Sequence, residues 1–392
     1  MIDNVVYFIF RLLQPLFPKN TIITWDEIIG TTAEAIDGWT MFEWLKEHGY
    51  QARYICNRKS LFYSQNKSSE ILGINPNKSI FRNCFWTMLR VRAVIKPFLY
   101  GGGMRNFFTD TKLKENKYIK DVYVDHGIVF FKDSAAAFYK PELTDTLIIS
   151  NDFEKELYNR LGKWPLDKMK KGGLARWQTL KRQNSADGLR RVFIYFTWRG
   201  SLDLLFWEKR RKYEKNYHPR KSVYAERILH FLDNPELSAT CKKYGIKLEL
   251  GIHHAQIDLA GCSLFQFYSP HAEFVRMNDV SRHIRAADMM ITDRSSIIFD
   301  AMFLNIPIAF WVPDQNDPML NKTEHADEQH AIELQKKELY NYCDTEEALI
   351  KQIEKYAKNG FELEQKYQAI NNTFFYYKTD ICEHIMEAID EN

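Results

Sequence analysis

The sequence predicts an α/β protein built from two Rossmann-like halves, each a parallel sheet covered by helices. Three observations carry that prediction. The chain has 392 residues, more than one ordinary domain holds and enough for two. Short β-branched and aromatic runs alternate with longer amphipathic stretches, which is the pattern of βαβ units. A polar, glycine-containing region, Lys168–Gly173 and Arg182–Gly188, separates two such series.

In the first series, strands are expected at Thr21–Thr24, Ala52–Ile55, Ala93–Lys96, Val122–Val124 and Leu147–Ile149. Gly38–Glu47 is amphipathic and stops at His48-Gly49, where a glycine suits a helix end. The second series gives strands at Val192–Thr197, Lys247–Ile252, Met289–Thr292 and Pro307–Trp311. A helix follows from Asp344, read as its N-cap, with acidic residues in the first turn that suit the helix dipole. Boundaries follow: a helical segment over 1–19, an N-terminal domain over 20–170, a C-terminal domain over 189–375 and a C-terminal helix or tail over 376–392.

Composition narrows the function classes. Hydrophobic residues make up 45% and charged residues 27%, a globular and not a disordered profile. The formal net charge of +3 is too small an excess for a typical nucleic-acid binder, and it suits an anionic substrate or membrane. The six cysteines form no Cys-x-x-Cys pair and read as reduced thiols of a cytosolic protein. No cluster of metal-ligand spacing is evident, so no tightly bound metal or cofactor is expected; a loosely held Mg2+ needs few protein ligands.

The N-terminus carries an apolar run, Val5–Phe10, then Arg11, then Leu12-Leu13 and Leu16-Phe17. Asp3 precedes it and no small-residue cleavage site follows, which argues against a signal peptide. The run is too short to span a bilayer. It reads either as an amphipathic helix lying on a membrane or as a short helix packed on its own domain.

Four strand ends could carry chemistry. The first is Met289–Thr292 followed by Asp293-Arg294, then Ser295-Ser296 opening a helix from Ile297 to Leu304. Serine caps free N–H groups, and those groups favour a phosphate at the carboxyl edge of a sheet. An ordinary βα turn with a serine cap has the same pattern. The second is Val122–Val124 running into Asp125-His126-Gly127, where a strand-end histidine is suited to general-base work and equally to a plain loop role. The third is Tyr195–Gly200, a strand running into a turn that holds Thr197-Trp198-Arg199, whose arginine suits a bidentate phosphate contact or a salt bridge. The fourth is His253-His254 after Lys247–Ile252. Adjacent strand residues face apart, so the pair does not suit one metal. A basic run, Lys209-Arg210-Arg211-Lys212, suits an anionic membrane surface at about 1 kcal/mol per residue, or, with its aromatic neighbours, nucleic acid, or a solvated loop.

These segments in this order resemble the CDP-glycerol glycerophosphotransferase family, the teichoic-acid primases and polymerases. The likeness rests on His126-Gly127, Thr197-Trp198-Arg199, His253, Thr292-Asp293-x-Ser295-Ser296-x-x-x-Asp300 and Asp314, and extends from about residue 20 to about 375. Asp125, Ile128, Phe196, Gly251 and Arg294 depart from the family's usual residues. The resemblance implies a GT-B-like architecture, two Rossmann-like domains facing a central cleft with a helical C-terminal part. It implies catalytic roles for His126 (the base), His253 and Arg199. Substrate-binding roles fall to Gly127, Thr197, Trp198, Thr292, Asp293, Ser295, Ser296, Asp300 and Asp314. The implied reaction transfers glycerol phosphate, or a related polyol phosphate, from a CDP-linked donor to a hydroxyl of a lipid-linked glycan or polyol-phosphate acceptor, releasing CMP. The implied place is the inner face of the cell membrane, as a cytoplasmic peripheral enzyme. Two alternatives share much of this pattern: a GT-B glycosyltransferase using a nucleotide sugar, and a non-catalytic membrane-surface protein that binds glycans.

Overall fold

The computed structural model describes residues 2–26, 37–75, 78–96, 116–125, 127–128, 141–183, 187–197, 223–252, 272–276, 280–293, 295–314 and 340–391. The chain forms two compact units, Met1–Leu180 with Phe374–Asn392, and Lys181–Thr373. No described helix is long and apolar enough to cross a membrane.

The first unit holds seven described strands: β1 (Thr21–Trp25), β2 (Gln51–Asn57), β3 (Ile71–Ile74), β4 (Val91–Lys96), β5 (Lys120–Val124), β6 (Thr146–Ile149) and β7 (Met169–Lys171). All pair in parallel, in the order β3-β2-β1-β4-β5-β6-β7. The chain therefore winds outward from β1, then returns to β4 and winds the other way. That reversal between β1 and β4 is the switch point of a doubly wound sheet. Around the sheet lie α1 (Ile2–Leu13), α2 (Asp37–Glu47), α3 (Leu61–Gln65), α4 (Ile80–Asn83), α5 (Phe85–Met88) and α6 (Asp152–Arg160).

The second unit repeats the logic. Its strands are β8 (Arg190–Tyr195), β9 (Ile246–Ile252), β10 (Ala272–Arg276), β11 (Met289–Thr292), β12 (Ile308–Phe310) and β13 (Asn341–Tyr342), ordered β10-β9-β8-β11-β12-β13 and all parallel. Its switch point lies between β8 and β11. The helices are α7 (Val223–Leu232), α8 (Pro235–Tyr244), α9 (Val280–Ala286), α10 (Ile298–Phe303), α11 (Glu346–Lys358) and α12 (Gln365–Phe374), with α13 (Ile381–Asp390) after them. Ile194, Leu248 and Ile291 of the sheet share one buried cluster with Phe231, Leu237 and Ile353, so α7, α8 and α11 cover the same face.

The α/β expectation holds in both units. Several bounds move. Met169–Lys171, expected within a linker, is the edge strand β7. The strand expected to run to Thr197 ends at Tyr195, and α11 is capped by Thr345, whose side chain accepts from Ala348 N, and not by Asp344. The C-terminal helix is no loose tail. Ile381, Cys382 and Ile385 of α13 are fully buried in the first unit. Cys382 N donates to Gln178 Oε1 at 3.1 Å, and Arg92 meets Asp390 at 2.6 Å.

At the N-terminus, α1 packs inward through Tyr7 and Phe10, whose rings lie 4.8 Å from Phe81. At about 100° per residue, Tyr7, Phe10, Gln14 and Phe17 form one stripe. A second stripe, Ile2, Val5, Phe8, Ile9, Leu12 and Leu16, faces away and is exposed. Trp86 of α5, also exposed, lies 6.5 Å from the Phe17 ring.

Candidate active site

Parallel strands end on the same edge, and in open α/β sheets ligands bind there, at the switch point. In the second unit the two central strand ends are held together there by the side chains of Thr292 and Asp293. Thr292 pairs with Tyr195 in the β8–β11 ladder, and its Oγ1 also donates to Tyr195 O at 2.7 Å. One residue later, Asp293 Oδ1 accepts from Thr197 N at 2.7 Å and from Thr197 Oγ1 at 2.8 Å. Thr292 and Asp293 are wholly buried and Thr197 nearly so. Burial foremost, and then the Asp293 charge, push the Tyr195 phenol well above its ordinary value.

On the other side of β8, Tyr195 pairs with Gly251 of β9. A Cβ at position 251 would sit 2.6 Å from Tyr195 Cδ2, so the ring takes the space a side chain would need. The glycine at this strand end is thus a packing requirement of Tyr195.

Beyond the clasped ends comes Ser295-Ser296. The sequence expected these serines to cap a helix from Ile297. Instead α10 begins at Ile298, and its N-cap is Ile297, with no side-chain cap bond. The serines contribute only carbonyls, to Ile298 N and Phe299 N at 3.2 Å each. Among the described residues, the N–H groups of Ser295, Ser296 and Ile297 and both hydroxyls take part in no hydrogen bond. Donors left open at a switch point are what an anionic ligand requires. Asp300, in α10, and Asp314, after β12, are both buried in the same unit.

In the first unit, β5 ends at Val124 and Asp125 follows. Its carboxylate turns inward: Oδ2 accepts from Tyr158 OH of α6 at 2.7 Å, and Oδ1 from Gly127 N at 3.4 Å. The helix that carries Tyr158, α6, starts with two side-chain bonds. Asn151 Oδ1 accepts from Glu154 N at 2.8 Å, and Glu154 Oε2 from Ser150 N at 2.7 Å. Asp125 is therefore fixed from α6.

At the first unit's own switch point, Asp26 follows the end of β1. Its carboxylate accepts from Gly38 N at 2.9 Å, Trp39 N at 2.8 Å and Tyr54 OH at 3.2 Å. Burial, then the neighbouring Asp37 charge, raise the Asp26 carboxyl to about 7 against the pull of those three donors. Asp37 itself is bonded to Arg176 at 2.7 Å. Lys96, at the end of β4, is buried against Asp121 at 2.6 Å.

Of the residues singled out from sequence, Thr197 is bonded to Asp293, Thr292 precedes Asp293 in the chain and bonds to Tyr195, and Ser295 and Ser296 come two and three positions after Asp293. Gly127 sits in the Asp125 turn. His126, Trp198, Arg199, His253, Arg294 and Lys209, Arg210, Arg211 and Lys212 lie outside the described residues. Sequence reasoning did not single out Asp26, Tyr158 or Tyr195. A readable signal for Asp26 was an acidic residue directly after an apolar strand and before a glycine-initiated helix.

The model of one family, CDP-Glycerol:Poly(glycerophosphate) glycerophosphotransferase, matches residues 125–389. The chain belongs to this family. It is accordingly a CDP-glycerol glycerophosphotransferase-type enzyme, and the stretch that defines the family begins at Asp125 and includes the whole β8–β11 switch point. No curated protein matches the chain in sequence. Solved structures share its fold. The wall teichoic acid polymerase TagF matches with a TM-score of 0.61 at 13% identity, over 99% of this chain and 92% of that one. A TagF variant soaked with CDPG gives 0.63 at 15%, over 99% and 93%. A putative UDP-N-acetylglucosamine 2-epimerase from Listeria monocytogenes gives 0.57 at 13%, over 95% and 97%.

Proposed function

We propose that this glycerophosphotransferase moves glycerol phosphate from CDP-glycerol to a hydroxyl of a lipid-linked glycan or polyol-phosphate chain in envelope polymer synthesis, and releases CMP. The acceptor oxygen forms a bond to the glycerol-bearing phosphorus, the bond from that phosphorus to CMP breaks, and the acceptor proton passes to His126. The observation that carries this reading is the second unit's switch point, where open N–H groups and the Ser295 and Ser296 hydroxyls stand beside clasped strand ends. Phosphoryl transfer depends mainly on alignment and charge stabilisation, which fixed donors supply.

Roles divide by unit. In the second, Ser295 and Ser296 hold diphosphate oxygens, Arg199 and His253 neutralise their charge, Trp198 lines the donor site, and Asp300 and Asp314 take donor hydroxyls or neighbouring backbone groups. In the first, His126 is the base and Gly127 lets the chain approach the acceptor. TagF, whose fold this chain shares, is described as a wall teichoic acid polymerase and has been soaked with CDPG, which supports the donor and the polymer class.

The test is incubation with CDP-glycerol, and separately with UDP- and CMP-sugars. CMP release with transfer of glycerol phosphate is expected, and the His126→Ala variant should lose it. Glycosyl transfer from a nucleotide sugar, with none from CDP-glycerol, overturns the reading. Full cellular function in His126→Ala would instead favour a non-catalytic glycan-binding role.

A membrane-surface location has its own support. The exposed α1 stripe with Leu16 and Trp86 is an apolar face of the kind that enters a lipid interface, and Arg11 and Arg90 lie near it. The enzyme then works on the inner leaflet, peripherally, with Lys209–Lys212 adding anionic-lipid attraction. Vesicle binding should weaken steeply with salt if the basic residues contribute. Salt-insensitive binding removes that electrostatic part, and no binding removes the location.

A further inference from the structure

Thr197, Thr292 and Asp293 were assigned above, by resemblance, to substrate binding. Their side chains make bonds to protein. The β8–β11 ladder ends at Tyr195 and Thr292. Among the described residues no pairing holds these two strands together beyond that point, yet the segments that follow carry Trp198-Arg199 and Ser295-Ser296. Each strand's continuation is gripped by the other. Thr292 Oγ1 reaches back to Tyr195 O, and Asp293 Oδ1 takes both Thr197 N and Thr197 Oγ1. All of these groups are buried. A charged acceptor makes stronger hydrogen bonds than a neutral one, and burial preserves their strength.

We propose that Asp293 is a positioning residue, a buried clasp that fixes the loop after β8 against the loop after β11 and itself contacts no substrate. The inference rests on the glycerophosphotransferase reading for its kinetic consequence, but the clasp itself is measurable without it. Both bonds converge on one oxygen, Oδ1. An amide carbonyl in the same place could keep both. This separates geometry from charge: a positioning role survives Asp293→Asn, whereas a role for the carboxylate charge on substrate does not.

The experiment compares wild type, Asp293→Asn, Asp293→Ala, Thr197→Ser and Thr197→Val in the full chain. CDP-glycerol turnover is read alongside hydrogen exchange at the Thr197 amide. Asp293→Asn and Thr197→Ser should stay within about tenfold of wild-type kcat/KM, with the amide protected. Asp293→Ala should lose about a hundredfold or more with the amide exposed to exchange, and Thr197→Val about tenfold, as the loss of one or two charge-assisted bonds implies. Should Asp293→Ala fail to fold, the contrast between Thr197→Ser and Thr197→Val decides. Two results overturn the proposal: Asp293→Asn as inactive as Asp293→Ala while Thr197 stays protected, or Thr197→Val indistinguishable from Thr197→Ser in both readouts. If wild type transfers nothing from CDP-glycerol, the functional reading fails, and amide protection at Thr197 still judges the clasp: loss in Asp293→Ala with retention in Asp293→Asn upholds it, and equal protection in both refutes it.

Discussion

The two units wind their sheets in the same order, yet they finish their switch points in opposite ways. In the first, the acid at the strand end looks forward. Asp26 accepts from the first N–H groups of α2, the helix that follows its own strand. The Gly38 backbone is pressed so close that an added Cβ would lie 2.3 Å from Trp25 O. Two helix donors that could have met a phosphate are taken by protein. In the second unit the acid looks sideways. Asp293 crosses to the neighbouring strand's continuation, and among the described residues the N–H groups of Ser295, Ser296 and Ile297 stay open. At these strand ends the first unit is sealed and the second open, and the acids follow different strands of the switch-point pair, β1 in one unit and β11 in the other.

This contrast can be broken experimentally, with the largest effects expected in the sealed unit. Lys96→Met leaves the buried Asp121 carboxylate without its cation and should cost about 3–5 kcal/mol in denaturant titration of the full chain, with CDP affinity unchanged. A marked loss of CDP affinity in a folded Lys96→Met protein would mean the sealed edge also serves the donor. Gly38→Ala drives a methyl into backbone, which cannot move aside as a side-chain end can, and should cost about 3 kcal/mol. A stability equal to wild type would show that α2 is free to shift.

Third comes pH. The Asp26 carboxyl is raised to about 7, so the folded state holds its proton over a range where the unfolded chain has lost it. Its contribution is full below the ordinary carboxylate range and is lost as pH rises through about 7. Asp26→Asn should flatten that part of the stability profile between pH about 4 and about 7, measured as Tm against pH. An unchanged slope assigns the dependence to another group. The smallest effect belongs to the open unit. Thr292→Val removes one buried hydroxyl bond and should cost about 1 kcal/mol, measured by denaturant titration.

The same contrast separates what was legible in the sequence. The strands expected from sequence are the interior ones of each sheet: β1, β2, β4, β5 and β6 in the first, β8, β9, β11 and β12 in the second. Buried on both faces, they read as continuous apolar runs. The strands not expected are β3, β7, β10 and β13, and each is an edge strand. Met169–Lys171 and Asn341-Tyr342 are short and polar because an edge keeps one side in water, so composition hides them. At the site, order and motif revealed which strand ends matter. They did not reveal that Asp293 binds Thr197, because those residues stand 96 positions apart and nothing local links them. Nor did they reveal that the serines leave capping to Ile297. The turn at Asp125 followed the same course: its partner, Tyr158, comes from α6, 33 positions on.

The return of α13 to the first unit sets an order of events during synthesis. Residues 1–180 leave the ribosome without the helix whose Ile381, Cys382 and Ile385 complete their core. The second unit, Lys181–Thr373, is continuous and needs no later segment. At about 5–20 residues per second, the earlier half waits on the order of ten to forty seconds for its last piece. The half made first is the half finished last. An arrested chain lacking only α13 would thus present a closed second unit joined to an incomplete first one, which is where a chaperone would find apolar surface to hold.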